Sequence, residues 1–248
     1  MEAPLIRRKE LPAWAWLWGP LGLVLLSYAL AVNERLDAFS QGEMGIIENA
    51  TVLILLVGIV GGFLGLRTQA SGSTKWSRWW IVLIMAGSLY FAGEELSWGQ
   101  HFVGWSTPET WRQINRQDET NLHNINGLLD KLPRNALTLA ALVGGIIVPV
   151  FAWRRRIRFD PNRPASWIWP TSVCIPTCLL AVTVTLPEKI AKIMNVDIPR
   201  VLDNHPSEAK ECLLATFMTL YLWSLYRRLR QSGGGGEAEA TVKLRKAA

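Results

Sequence analysis

The stretch Gly93-Glu94-Glu95-Leu96-Ser97-Trp98-Gly99-Gln100-His101 sets two adjacent carboxylates, a hydroxyl and an imidazole at the end of an apolar run. That run covers only 79–93, roughly 22 Å of helix at about 1.5 Å per residue. A hydrocarbon layer about 30 Å thick needs roughly 20 residues. A helix crossing it is therefore expected to continue through Glu94, Glu95 and Ser97 to Trp98. Ionisable groups at that depth are costly and usually mark a proton, ion or substrate site. At a helix C-terminus the macrodipole opposes negative charge, and desolvation opposes it too. A carboxylate pair in such a place suits general acid/base chemistry or cation binding. His101 follows Ser97 by four residues and Glu94 by seven, so in one continuous helix the three share a face.

Further polar candidates stand where other apolar runs begin. Glu48 opens a second run, Asn121, His123 and Asn124 fall in the polar segment 99–135, and His205, Glu208 and Glu211 introduce the last run. In an enzyme, Glu94 or Glu95 would move the proton, with Ser97 and His123 as catalytic partners. Glu48, Asn121, Asn124 and Glu211 would line the same pocket. A divalent metal such as zinc would draw on His101, His123, His205 and Glu208. No His-Glu-x-x-His motif, paired-cysteine motif or pair of histidines at helical spacing is present, so a metal site would be assembled from separate segments. Plainer roles also exist. Glu48, Glu208 and Glu211 fall near helix N-termini, where a carboxylate gains about 0.3–1 kcal/mol from the macrodipole. Ser207 is placed to cap the last helix, and His101 suits a helix C-terminus as a cation.

The elements that must position these groups are membrane helices. Half of the 248 residues are hydrophobic and gathered into long runs, and 13 are Trp. This predicts an all-α polytopic bundle with six spans, at 13–32, 46–66, 79–98, 136–153, 167–186 and about 208–226. Pro170 and Pro176 predict a kink in the fifth. The first apolar run is longer than the roughly 7–15 residues of a signal-peptide core, so it reads as a retained span. With the N-terminus cytoplasmic, most of the 26 Lys and Arg lie inside and most of the 20 acidic residues outside. The net charge of +6 is then a topology signal and gives no support to a nucleic-acid partner. The three cysteines form no disulfide framework, and Cys174 and Cys178 share one face of the fifth span as packing residues. In the outer loop, Thr107-Pro108-Glu109 predicts a short helix carrying Trp111 and Ile114. Leu122, Ile125, Leu128, Leu129 and Leu132 predict a second, both lying on the outer leaflet or over the bundle. Gly233 to Gly236 open a flexible cytoplasmic tail over 231–248.

The block Gly93-Glu94-Glu95-Leu96-Ser97-Trp98-Gly99-Gln100, with Ser106-Thr107-Pro108-Glu109 and Glu119-Thr120-Asn121-Leu122-His123-Asn124, resembles a family of uncharacterised bacterial multi-pass membrane proteins. Their signature is Gly-Glu-Glu-(Ile/Leu)-Ser-Trp-Gly-Gln. The resemblance covers about the middle fifth of the chain and implies no activity. Where those relatives often carry Arg after the Gln, this chain has His101, a departure that weakens His101 as an obligatory ligand. A looser likeness is to the ceramidase-like membrane hydrolases, whose zinc site combines Ser, Asp and three His near a membrane face. Ser97 with His101 is similar to one piece of it.

These readings converge on a bacterial inner-membrane protein with a carboxylate- and histidine-rich pocket open to the periplasm, in contact with membrane lipids. Three functions compete: an intramembrane enzyme acting on a lipid or lipid-linked substrate, a proton- or cation-coupled carrier, and a non-catalytic assembly scaffold. The orientation is directly testable. Reporter fusions after Arg78, Arg163 and Arg230 are expected to report cytoplasm, and those after Asp37, Gln117 and Asp197 the outside. A cytoplasmic signal from Gln117 contradicts the orientation.

Overall fold

The computed structural model describes residues 11–32, 45–68, 75–115, 118–122, 125, 127–157, 160, 164–197 and 206–247. It is all-α, with no strand among the described residues. A π-helical turn, Trp14–Trp18, leads into α1 (Gly19–Val32). Two long helices follow, α2 (Ile46–Arg67) and α3 (Lys75–Glu95), then two single turns, α4 (Gln100–Val103) and α5 (Glu109–Arg112). Next, α6 (Gly127–Leu142) passes through a π-helical turn, Val143–Ile147, into α7 (Val148–Arg154). The segment α8 (Pro164–Ile168), α9 (Ile175–Thr183) and α10 (Leu186–Met194) precedes the long α11 (Pro206–Ala247). Four helical segments, Trp14–Val32, Ile46–Arg67, Lys131–Arg154 and Ser166–Met194, are long and apolar enough to cross a membrane. Leu25, Leu53, Val57, Trp79, Leu83 and Leu139 face outward and are more than half exposed. Such a surface suits lipid and is poorly suited to water.

α11 is the axis of the bundle. From Cys212 to Leu222 every side chain is buried. Its tightest neighbour is α2, whose glycines at 58, 61, 62 and 65 clear a strip along one face, the small-residue spacing by which membrane helices approach closely. A Cβ on Gly58 would stand 3.0 Å from the Thr219 Cα, and one on Gly61 would meet the Trp223 ring at 2.9 Å. Through that gap Thr219 Oγ1 donates to the Ile54 carbonyl at 2.7 Å and Trp223 Nε1 to the Val57 carbonyl at 3.0 Å. The partners rise together in number, so α2 and α11 run parallel. α3 runs against both: Met85 lies over Gly62 and Ile81 near Gly65, while Trp80 Nε1 donates to Tyr221 Oη at 2.6 Å. The start of α2, the start of α11 and the end of α3 therefore meet at one end of the bundle.

Several boundaries differ from expectation. α3 stops at Glu95, short of Trp98, because Ser97 and Trp98 take left-handed φ values of 45° and 57° and Gly99 follows at 93°. The continuous face linking Glu94, Ser97 and His101 is thereby broken. The second loop helix is no separate interfacial element: it fuses with the fourth span, and its Arg134 reaches the Glu211 carboxylate at 2.5 Å. The fifth span breaks at Trp169–Thr171, beside Pro170, and bends again after Thr183. Pro206 at the first position of α11 starts that helix one residue before Ser207, which therefore stands inside the first turn. The same helix continues to Ala247 through the four glycines expected in a flexible tail. Cys174, Cys178 and Cys212 form no disulfide and are buried. A Cβ on Gly145 would meet Cys178 Cβ at 3.0 Å, so Cys178 packs against the π-helical turn Val143–Ile147, whereas Cys212 packs with Leu30 and Ile47.

The seam makes a graded prediction. Gly58→Ala and Gly61→Ala should each lower stability by about 1–3 kcal/mol through overpacking. Gly22→Ala, with nothing within 4 Å, should be neutral or slightly stabilising. Thermal melts in detergent read the ranking, and equal tolerance at all three positions contradicts a close-packed seam.

Candidate functional site

The end of α3 divides the glutamate pair. The Glu94 carboxylate is 4% exposed, and each of its oxygens is engaged: Oε1 accepts from Trp98 Nε1 at 2.8 Å and Oε2 from the backbone N–H of Leu122 at 2.8 Å. The first bond requires Trp98 to fold back over the helix it has just left. The left-handed turn at Ser97 and Trp98 provides the reversal, and Gly93 provides the space, since a Cβ there would lie 2.8 Å from the indole. The signature residues Gly93, Glu94, Trp98 and Gly99 are thus parts of one device, a sharp helix stop whose carboxylate catches the returning loop.

The rest of the loop is tied by neutral side chains. Gln100 Oε1 accepts from the Thr120 N–H at 2.8 Å and the Thr120 hydroxyl at 2.6 Å, and its Nε2 donates to Thr107 Oγ1 at 2.8 Å and the Asp118 carbonyl at 3.3 Å. Thr107 donates in turn to that carbonyl, and Trp105 Nε1 donates to Thr120 Oγ1 at 3.0 Å. One layer further in, Asn121 Nδ2 donates to Ser97 Oγ at 2.9 Å and to the Glu119 carboxylate. Asn115 Nδ2 donates to both oxygens of Asn121, the carbonyl and the side chain, at 3.0 Å. Gln100, Thr107, Asn115, Glu119 and Asn121 are all buried, and buried polar groups must be satisfied in this way.

Glu95 points elsewhere. No hydrogen bond reaches its carboxylate among the described residues, and its electrostatic neighbours are Glu211, Glu48, Arg134 and Glu208. Four glutamates from α2, α3 and α11 therefore gather at one bundle end, with Arg134 from α6 among them and the buried Lys210 of α11 within electrostatic range of Glu211. Glu48 reaches back to the Gly45 N–H like the glutamate of a capping box, leaving its Oε2 buried with no hydrogen-bond partner. Glu211 holds Arg134 with both side chains partly screened from solvent. Glu119 lies within electrostatic range of Glu48, so the loop network abuts the acidic cluster.

Glu94, Ser97 and Asn121 thus belong to the hydrogen-bonded layer, and Glu95, Glu48, Glu208 and Glu211 to the acidic layer beside it. The side chain of His101, and all of His123, Asn124 and His205, lie outside the described residues. Among the described residues no group of three or more His, Cys, Asp or Glu is gathered closely enough to hold a metal ion. Reading the sequence missed Gln100, Asn115, Glu119 and Arg134 as site residues. Gln100 and Glu119 do stand in the motif blocks, and Arg134 could have been sought as the cation that an acid-rich membrane face requires.

No protein-family model, curated protein or solved structure matches this chain. The geometry can be tested by itself. Gly93→Ala should displace the indole and Gln100→Ala should orphan the Thr120 N–H, each costing about 1–3 kcal/mol. Limited proteolysis should then cut within 104–120 far faster than in wild type. Unchanged protection in both variants contradicts the tied-loop arrangement.

Proposed function

We propose that this chain is a membrane-embedded enzyme acting on a lipid or lipid-linked substrate, with Glu95 as its general acid/base. The observation carrying this reading is the division of the glutamate pair: Glu94 is spent on holding the loop, while Glu95, with no hydrogen bond among the described residues, stands near Glu48, Glu208, Glu211 and Arg134. A carboxylate in a low-dielectric environment, next to like charges and free of the loop-holding bonds that occupy Glu94, suits proton transfer. The hydrogen-bonded loop carrying Gln100, Thr107, Asn115 and Asn121 roofs the site, Arg134 orients Glu211 and offers positive charge to an anionic substrate group, and the outward apolar helix faces bring lipid alongside. His123 and His205, on segments flanking the cluster, are assigned as proton carriers or ligands of a divalent metal such as zinc.

In this reading α3 and α11 cross the membrane with the four apolar segments, making six spans, the N- and C-termini are both cytoplasmic, and the site opens to the periplasmic side of a bacterial inner membrane. The charge distribution supports it. Arg67, Lys75, Arg78, Arg154 and Arg227 mark one end of the helices, and Glu48, Glu95 and Glu208 the other. A second reading, a proton- or cation-coupled carrier, is favoured by the gathering of Glu48, Glu208 and Glu211 around Glu95, whose mutual repulsion protons or a bound cation would relieve.

The glutamate pair separates structure from chemistry. Glu95→Gln should lower activity by roughly 10²–10⁴-fold, the usual scale for a lost acid/base, with an unchanged melt. Glu94→Gln should lower stability by about 1.5–3 kcal/mol through its two charge-assisted hydrogen bonds. Activity is read by complementation of the deletion phenotype and by comparing lipid extracts of cells overproducing each form. Full complementation and an unaltered lipid profile with Glu95→Gln contradict the enzyme. Proton-linked uptake into proteoliposomes, lost in the same variant, would instead establish the carrier.

A further inference from the structure

The end of the bundle remote from the glutamates holds a buried charge that no structural role uses up. Arg228 on α11 is 4% exposed. Its Nη1 donates to the Ser166 carbonyl at 2.7 Å and the Trp169 carbonyl at 3.3 Å. Those oxygens lie at and just beyond the end of α8, where the break beside Pro170 deprives them of helical donors, so a cation there is an ordinary helix terminator. The other edge of the guanidinium is different. Nε and Nη2 are both buried with no hydrogen-bond partner. Their N–H bonds point the same way and form the fork with which arginine takes two oxygens of one anion. A buried charge with two unanswered donors is strongly unfavourable unless an anion completes it.

Depth and surroundings indicate which anion. Along α11, Glu208 and Arg228 are separated by roughly 30 Å at about 1.5 Å per residue, which matches a hydrocarbon layer about 30 Å thick. Arg228 therefore sits at headgroup level when the glutamates sit at the opposite interface. Arg67, Arg78, Arg227 and Arg230 add positive potential at this end, and Trp169 and Trp223 supply aromatic residues of the kind found at headgroup depth. We propose that Arg228 is a phosphate-binding site, its Nε/Nη2 fork taking two oxygens of a phosphate borne by a phospholipid headgroup or free in solution. Both nitrogens are covered, so loading entails local opening at this end of the bundle and long incubation in the test.

The full chain, purified in detergent and stripped of co-purified lipid, is incubated overnight with phosphatidylglycerol, with diacylglycerol lacking the phosphate, or with inorganic phosphate. Thermal melts and native mass spectrometry are then read. Phosphatidylglycerol should raise the melt and remain bound at one molecule per chain, and diacylglycerol should do neither. Arg228→Met should weaken retention at least tenfold, and Arg228→Lys, which keeps the charge and loses the fork, should weaken it less. Stabilisation by phosphatidylglycerol alone supports the site with a lipid source, and equal stabilisation by inorganic phosphate supports it with a free one. Retention unchanged in Arg228→Met overturns the proposal. If that variant fails to fold, wild type decides: no stabilisation by either phosphate compound, or an equal effect of diacylglycerol, overturns it.

Discussion

The close approach of α2 to α11 is the constraint from which the rest of the bundle follows. Without side chains at Gly58 and Gly61, the α2 backbone comes near enough for Thr219 and Trp223 to donate hydrogen bonds directly to its carbonyls. Those donors would be costly if left unpaired in an apolar interior, so they fix rotation and register as well as distance. A parallel pair locked in this register brings Glu48 beside Glu208 and Glu211. α3, antiparallel to both, then delivers Glu95 to the same place and its basic start to the other. Each of the three helices carries acid at one end and base at the other, which polarises the whole bundle along its axis.

At the acidic end the polar groups do two kinds of work. Glu94, Ser97, Gln100, Asn115 and Asn121 bond to one another and to the loop backbone, giving a dry, satisfied layer of the sort that rigidifies a structure. Glu95, Glu48, Glu208 and Glu211 outnumber the cations beside them, Arg134 and Lys210, and are held near one another by helices that cannot separate. Repulsion among them is the cost of that placement. The hydrogen-bonded layer beside them opposes relaxation of the helix ends.

Much of this was legible in the chain because it depends on long periodic features. Apolar runs located the helices, and Trp79 to Gly93 being too short to span a membrane pointed to the glutamates. The glycine strip in α2 is equally visible as spacing, but its partner is not, since only packing tells which helix approaches. The end of α3 at Glu95 was misjudged because two non-glycine residues adopt positive φ there. That conformation is stabilised by a tertiary contact, the Trp98 indole lying over Gly93, and propensity carries no trace of it. The roles of Glu94 and Glu95 could not be told apart for the same reason. They are neighbours in sequence and lie about 100° apart around the helix, so one meets the loop and the other the bundle.

The split between these neighbours is the centre of the account, and carboxylate labelling tests it most directly. A lipid-soluble carbodiimide applied to the full chain in membranes, followed by peptide mapping, distinguishes carboxyl groups free to react from those held in hydrogen bonds. The account predicts modification of Glu95 and protection of Glu94. Modification of Glu94 with Glu95 untouched would contradict it.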